Sequence, residues 1–94
     1  MKITRNKGKD YLVYREGQNY TTEIYDLAVM SERRKGIGTE MINKLKEKGG
    51  HLYAFMRYSN HRAKSFYEKN GFVAYHLPKF YPDEDAYLML WSGQ

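Results

Sequence analysis

The run Arg33-Arg34-Lys35-Gly36-Ile37-Gly38-Thr39 is the part of this chain best suited to chemistry. Three cations lead into two glycines, at a point where the residue pattern changes from strand-like to helical. The first turn of a helix has unpaired N–H groups and the positive end of the dipole. Glycines let a phosphate approach the backbone, and the flanking arginines and lysine add charge. Residues 33–39 therefore read as a pyrophosphate cradle. No Gly-Lys-Ser/Thr closes the run, which excludes a Walker A loop. The glycine spacing also departs from the dinucleotide fingerprint. His51, His61 and His76 make no metal-ligand spacing and read as non-catalytic, so no metal is expected.

The elements that must position this run can be placed in order. Met1–Arg5 is a first strand, Asn6–Asp10 has turn chemistry, and Tyr11–Arg15 is a second strand. After a turn at Glu16–Asn19 comes a third strand, Tyr20–Met30. Its C-terminal half (Ile24, Leu27, Ala28, Val29) is apolar at consecutive positions, which predicts a central strand covered on both faces. Ile37, Met41, Ile42 and Leu45 recur at helical spacing, and Gly49-Gly50 stops that helix. His51–Arg57 is a fourth strand. Ser59 or Asn60 caps a second helix carrying Ala63, Phe66 and Tyr67, which ends at Asn70-Gly71. Phe72–Leu77 is a fifth strand, Pro78–Asp85 a loop and Ala86–Trp91 a closing strand. The order β-β-β-α-β-α-β-β is an α/β class. Its strand–helix–strand step requires a parallel pair and a right-handed crossover inside a mixed sheet.

The 94 residues suit a single domain over 1–94, and 41% hydrophobic content is enough for a core. Ten of the fifteen aromatics are tyrosines, which favours a half-wet sheet or groove. Without cysteine there are neither disulfides nor thiolate metal sites. The start, Met1-Lys2-Ile3-Thr4-Arg5, leads into no apolar run, so no signal peptide, no membrane span and a cytoplasmic location are expected. The net charge of +5 suits an anionic ligand. Lysine and arginine are spread along the chain instead of forming one stripe, which argues against nucleic acid.

Arg33-x-x-Gly36-x-Gly38, between a central strand and a helix, resembles the signature of the GNAT acetyltransferases. Asn60-x-x-Ala63-x-x-Phe66-Tyr67-Glu68-Lys69-x-Gly71-Phe72 resembles the second half of the same signature. The resemblance covers Tyr20 to Trp91. It implies a mostly antiparallel sheet with a splayed parallel pair in the middle, and acetyl-CoA bound in the splay. The backbone of Leu27, Ala28 and Val29 would pair with the pantetheine arm. Arg33, Arg34, Lys35, Gly36, Ile37, Gly38 and Thr39 would hold the pyrophosphate, and Asn60 would hydrogen-bond the cofactor. The family's usual first strand and two helices, one wall of the acceptor site, have no counterpart here, so an open acceptor site, a reduced form or a homodimer that completes the wall is expected.

The implied reaction is attack of an amine on a thioester. A lysine amine ionises near 10.4 and an α-amine near 8, so either benefits from a base, and a thiolate leaving group with a pKa of about 8.5 benefits from an acid. Tyr67 matches the family's general acid beside the sulfur. Two aromatics in tandem, Phe66 and Tyr67, cannot both point into one core stripe, which favours the functional placement of Tyr67. Glu23 matches the glutamate of histone-type members and is the preferred base. Asp26 falls on the opposite face by strand alternation, unless a bulge intervenes. The tail from Lys79 to Met89 resembles protein N-terminal acetyltransferases, including those that modify a ribosomal protein alanine, with Phe80 and Tyr81 lining the peptide groove. Phe55 stands where the bacterial members carry a glutamate. The acceptor is then a protein or peptide amine. The alternatives are a small amine drawn by Asp83-Glu84-Asp85, and a non-catalytic CoA-binding or interaction module.

Overall fold

A computed structural model describes residues 2–6, 10–28 and 36–93. The elements are β1 (Lys2–Asn6), β2 (Asp10–Glu16), β3 (Thr21–Ala28), α1 (Ile37–Glu47), β4 (His51–Arg57), α2 (His61–Lys69), β5 (Val73–Leu77) and β6 (Ala86–Trp91). They form a six-stranded sheet in the order β1-β2-β3-β4-β6-β5. The expected element order is the observed one. Tyr20 differs from expectation: it sits in the β2–β3 turn at φ 56 and is 87% exposed, whereas its ring suggested a strand residue. Thr21 closes that turn, its hydroxyl donating to the Gln18 carbonyl at 2.7 Å.

Every adjacent pair is antiparallel except β3 and β4. The crossovers β3–α1–β4 and β4–α2–β5 run in the same direction across the sheet, so right-handed connections put both helices on one face. The core agrees. Met41, Ile42 and Leu45 of α1 and Tyr67 of α2 pack in one cluster with Leu12, Tyr14, Ile24, Leu52, Ala54 and Met89 of the sheet. Truncating a fully buried member such as Ile42 would cost about 2–5 kcal/mol, the usual transfer-plus-cavity penalty.

On the other face the register aligns Val73 with Leu90 and Tyr75 with Leu88, and Phe55 also with Leu88. Val73 is 55% and Tyr75 48% exposed, and no helix among the described residues covers them. β3 is central but not covered on both faces as its apolar run suggested: Thr22 and Ile24 are buried, whereas Tyr25 and Asp26 are exposed. Both helices lie on one side, which leaves the other face of β3 open.

Candidate active site

β3 and β4 pair only where Thr21, Thr22 and Glu23 face His51, Leu52 and Tyr53. Beyond Glu23 the strands part. The parting begins beside an irregularity on the other edge of β3, where Tyr14 pairs with Ile24 but Val13 pairs with Asp26, leaving Tyr25 as an extra residue. Such a bulge bends its strand and increases the local twist. The facing backbone edges of β3 and β4 are left unpaired across the opening, and an extended amide-bearing ligand could satisfy them. A cavity of about 540 Å³ occupies the gap, within the usual size for a cofactor site. Its walls include Leu27, Ala54 and Met56 from the helix side and Asp26 and Phe55 from the opposite side. The cavity therefore passes between the strands and joins the two faces of the sheet.

At one end is the start of α1. Gly36 is its N-cap, in the left-handed conformation (φ 66, ψ 25) and without a side-chain cap. The first helical bond runs from the Glu40 amide to the Gly36 carbonyl at 2.9 Å, so the first-turn N–H groups remain for a ligand. Gly36, Gly38 and Thr39 line the cavity, as a phosphate cradle requires. Val29, Arg33, Arg34 and Lys35 lie outside the described residues, and Ile37 is described by its backbone alone. Asn60 also lines the cavity. Its Oδ1 accepts from the Ala63 amide at 3.2 Å and caps α2, which leaves its Nδ2 group for a ligand.

Tyr67 enters from α2. Its ring is buried edge-on against Phe66 (5.3 Å) and Phe72 (5.0 Å). The tandem-aromatic argument put Tyr67 outside the core. In the fold it is the more buried of the two, with Phe66 half-buried beside it, because the ring packs while the hydroxyl end reaches the cavity. No buried side-chain polar atom among the described residues lacks a partner, and the Tyr67 hydroxyl makes no hydrogen bond to them. It is therefore open to the cavity. Burial above all, and secondarily the charge of Asp26, pushes its pKa above the ordinary tyrosine range, so it holds its proton at neutral pH.

The two candidate acids are placed differently. Glu23 accepts from the Tyr53 hydroxyl at 3.4 Å at the last paired step of β3 and β4, outside the residues that line the cavity. Asp26 does line it and accepts from the Tyr11 hydroxyl at 2.9 Å. The bulge reverses the alternation: Glu23 faces Arg15 and Asp26 faces Val13, so both point away from the helices. Sequence alternation placed them on opposite faces. Tyr25, Arg62 and Phe66 also line the cavity and had no assigned role in the sequence. Phe66 belongs to the second motif, but nothing in the spacing marks Tyr25 or Arg62, since the gap that exposes them is a tertiary feature.

Phe80 stacks on Phe55 at 5.0 Å with planes 11° apart, and Tyr81 lies edge-on to Phe80 with the Arg57 guanidinium over its ring at 4.5 Å. Arg57 binds Asp83 at 2.7 Å and Glu84 at 3.3 Å, and the Ser59 amide donates to Glu84 at 3.0 Å. Asp85 accepts from the Lys79 amide at 2.8 Å and pairs with His76 at 2.7 Å. The acidic triplet is thus engaged within the chain, by Arg57, the Ser59 and Lys79 amides and His76. Arg57 holds Asp83, and the Lys79 amide followed by His76 holds Asp85, below the usual carboxylate range. What these pairs contribute to holding the loop is present above the ordinary aspartate pKa and falls away as pH drops through the lowered values. Arg57→Ala is expected to speed hydrogen exchange at the Ser59 amide several-fold at neutral pH, while core amides in β4 keep their protection. Unchanged Ser59 exchange would show that the ion pairs do not hold the loop.

The family model described as Acetyltransferase (GNAT) family matches residues 10–72. Among solved structures, Ard1 from Thermoplasma volcanium is similar at 26% identity over 90% of this chain and 63% of that one, with a TM-score of 0.75. Naa50 of Arabidopsis thaliana, in complex with the bisubstrate analogue CoA-Ac-MVNAL, matches at 21% identity over 88% and 64%, with a TM-score of 0.72. The ribosomal-protein-S18-alanine N-acetyltransferase from Escherichia coli matches at 24% identity over 97% and 66%, with a TM-score of 0.72. The chain spans about two thirds or less of the length of these structures, and the last two likenesses speak to fold alone. A search of curated proteins found no match. The family match covers most of the chain and includes the opened β3–β4 pair, the glycine-led helix start and Tyr67: this chain belongs to the GNAT acetyltransferase family.

Proposed function

We propose that the protein transfers the acetyl group of acetyl-CoA to a primary amine by direct attack in a ternary complex, and that the acceptor is a peptide or protein amino terminus. The observation that carries this reading is the cavity through the sheet, which joins the open N–H groups of α1 to the Tyr67 hydroxyl and emerges on the far face beside Phe55. In this reading the helix start takes the pyrophosphate, the unpaired edge at Leu27 and Ala28 takes the pantetheine amides, and Asn60 adds a donor. Val29, Arg33, Arg34, Lys35 and Ile37 complete the cofactor set. Acetyl-CoA supplies the activated acyl group, and Tyr67 donates to the sulfur as it leaves.

Aromatic side chains at the far mouth, Phe80 stacked on Phe55 and Tyr81 beside them, support a peptide acceptor, as does the likeness to Naa50. The exposed residues of that face, Val73, Tyr75 and Phe80, support a homodimer in which a second copy walls the acceptor side. The supply of acetyl-CoA favours a cytoplasmic setting.

Isothermal titration with acetyl-CoA tests the cofactor site. The wild type should bind saturably in the micromolar range. Gly36→Val must hold a β-branched residue in the left-handed region, and the roughly 1–2 kcal/mol this costs predicts affinity weaker by about tenfold or more. Gly36→Asn tolerates that conformation but still places a side chain in the open space around the Gly36 α-carbon. If asparagine binds like wild type, glycine serves only the backbone turn; if both variants lose affinity, the phosphate needs the space. A wild type that binds no acetyl-CoA ends the enzyme reading and leaves a non-catalytic interaction module.

A further inference from the structure

Attack by an amine requires a group that takes its proton, and that group must face the opening where the Tyr67 hydroxyl meets the thioester. β3 carries two carboxylates on the face from which an acceptor would enter. Glu23 belongs to the closed part of the β3–β4 pair, where it accepts from Tyr53. Asp26 lies three residues further on, in the parted segment, and shares the cavity wall with Tyr67. The extra residue at Tyr25 brings Asp26 to the acceptor face; in an unbulged strand it would point at the helices.

Tyr11 on β2 donates to Oδ2 of Asp26 at 2.9 Å, which holds the carboxylate by one oxygen and does not engage the other. The charged and titratable groups around it come from each packed element: Tyr11 from β2, Tyr25 beside it on β3, and Arg62 and Tyr67 from α2. We infer that Asp26 is the base that accepts the acceptor amine's proton, directly or through one water, and that Tyr11 is its positioning residue; this rests on the acetyl-transfer reading above.

The step balances as follows. The amine nitrogen bonds to the acetyl carbonyl carbon and the carbon–sulfur bond breaks. The acceptor ammonium first loses one proton to the Asp26 carboxylate, which hands it to solvent and frees the lone pair for attack. The nitrogen proton released on attack then passes to Asp26 and the Tyr67 proton to the sulfur. Solvent then takes the proton from Asp26 and returns one to Tyr67. One group that holds its proton and one carboxylate acting on it in the same cavity is the pairing that divides acid from base.

The test compares two nucleophiles at pH 7 with saturating acetyl-CoA. A pool of short peptides with free α-amines is mostly ammonium at this pH, whereas hydroxylamine is mostly neutral and needs less help from a base. Asp26→Asn is expected to lower kcat/KM for the peptides by roughly a hundredfold and for hydroxylamine by no more than about threefold. Tyr11→Phe should show the same selectivity with a smaller loss, on the order of tenfold. Equal losses on both nucleophiles, no loss, or selective loss in Glu23→Gln instead would overturn the assignment. So would a wild type that acetylates hydroxylamine but no peptide, because no proton would then be taken from an ammonium group. A wild type that neither binds acetyl-CoA nor acetylates hydroxylamine removes the acetyl-transfer reading, and this inference with it. An active, cofactor-binding wild type with an unselective Asp26→Asn removes this inference alone.

Discussion

Tyr67→Phe is expected to lower kcat by roughly a hundredfold, the lower range for loss of a positioned acid, while acetyl-CoA affinity stays within about twofold. The substitution removes one oxygen and keeps the ring that packs on Phe66 and Phe72, so the core is retained. The hydroxyl makes no hydrogen bond to the described residues, so no partner among them is stranded. What is lost is a proton donor at the place where negative charge develops on sulfur. Because burial and the Asp26 charge hold that proton more tightly than usual, the wild type should keep its advantage over the variant above pH 10, where an ordinary tyrosine would ionise. Steady-state kinetics with titration of each protein decides the matter. Collapsed affinity with unchanged turnover per bound cofactor would make Tyr67 a packing residue and not an acid.

Gly50→Ala is expected to lower Tm by about 8–32 °C, and Gly49→Ala by about half as much, 4–16 °C, at roughly 4–8 °C per kcal/mol for a domain of this size. Both glycines have positive φ, 82° at Gly49 and 90° at Gly50, so each alanine bears a left-handed penalty of roughly 1–2 kcal/mol. They differ in their surroundings. A Cβ on Gly49 meets nothing within 4 Å, whereas one on Gly50 would lie 2.2 Å from the Tyr20 carbonyl oxygen. That same oxygen accepts from the His51 amide at 2.7 Å and opens the parallel register of β3 and β4. Relieving the clash must move backbone that holds the closed end of the gap, hence a total cost of roughly 2–4 kcal/mol. Thermal melts of the two variants side by side isolate the clash from the shared dihedral penalty. Equal losses would mean that the contact with Tyr20 yields freely.

Several features were legible because their causes are local. Helical spacing of Met41, Ile42 and Leu45, the Asn60 cap and the Gly49-Gly50 stop depend on residues within a turn or two of one another, and α1, β4 and α2 form as expected. The glycine-led helix start is legible for the same reason, since the open N–H groups belong to that start itself and Gly36 sits beside them. Tyr67, whose tandem neighbour suggested a place outside the core, is buried and also lines the cavity.

The acids show what local pattern does not reach. Glu23 and Asp26 stand on opposite faces by alternation and on the same face in the fold, because one extra residue at Tyr25 shifts the pairing with β2. Neither β2 nor β3 carries that information alone; it arises when the two strands bond. The same bulge accompanies the parting of β3 from β4, and the parting exposes Asp26, Phe55 and Tyr67 to one cavity. The sequence by itself determined the elements, their order and the glycine-led start of α1, all set by short-range backbone and side-chain preferences. The tertiary structure decided which carboxylate shares the cavity with Tyr67 and that the cavity runs through the sheet, because side-chain facing in a strand is a property of pairing and changes completely with a shift of one residue.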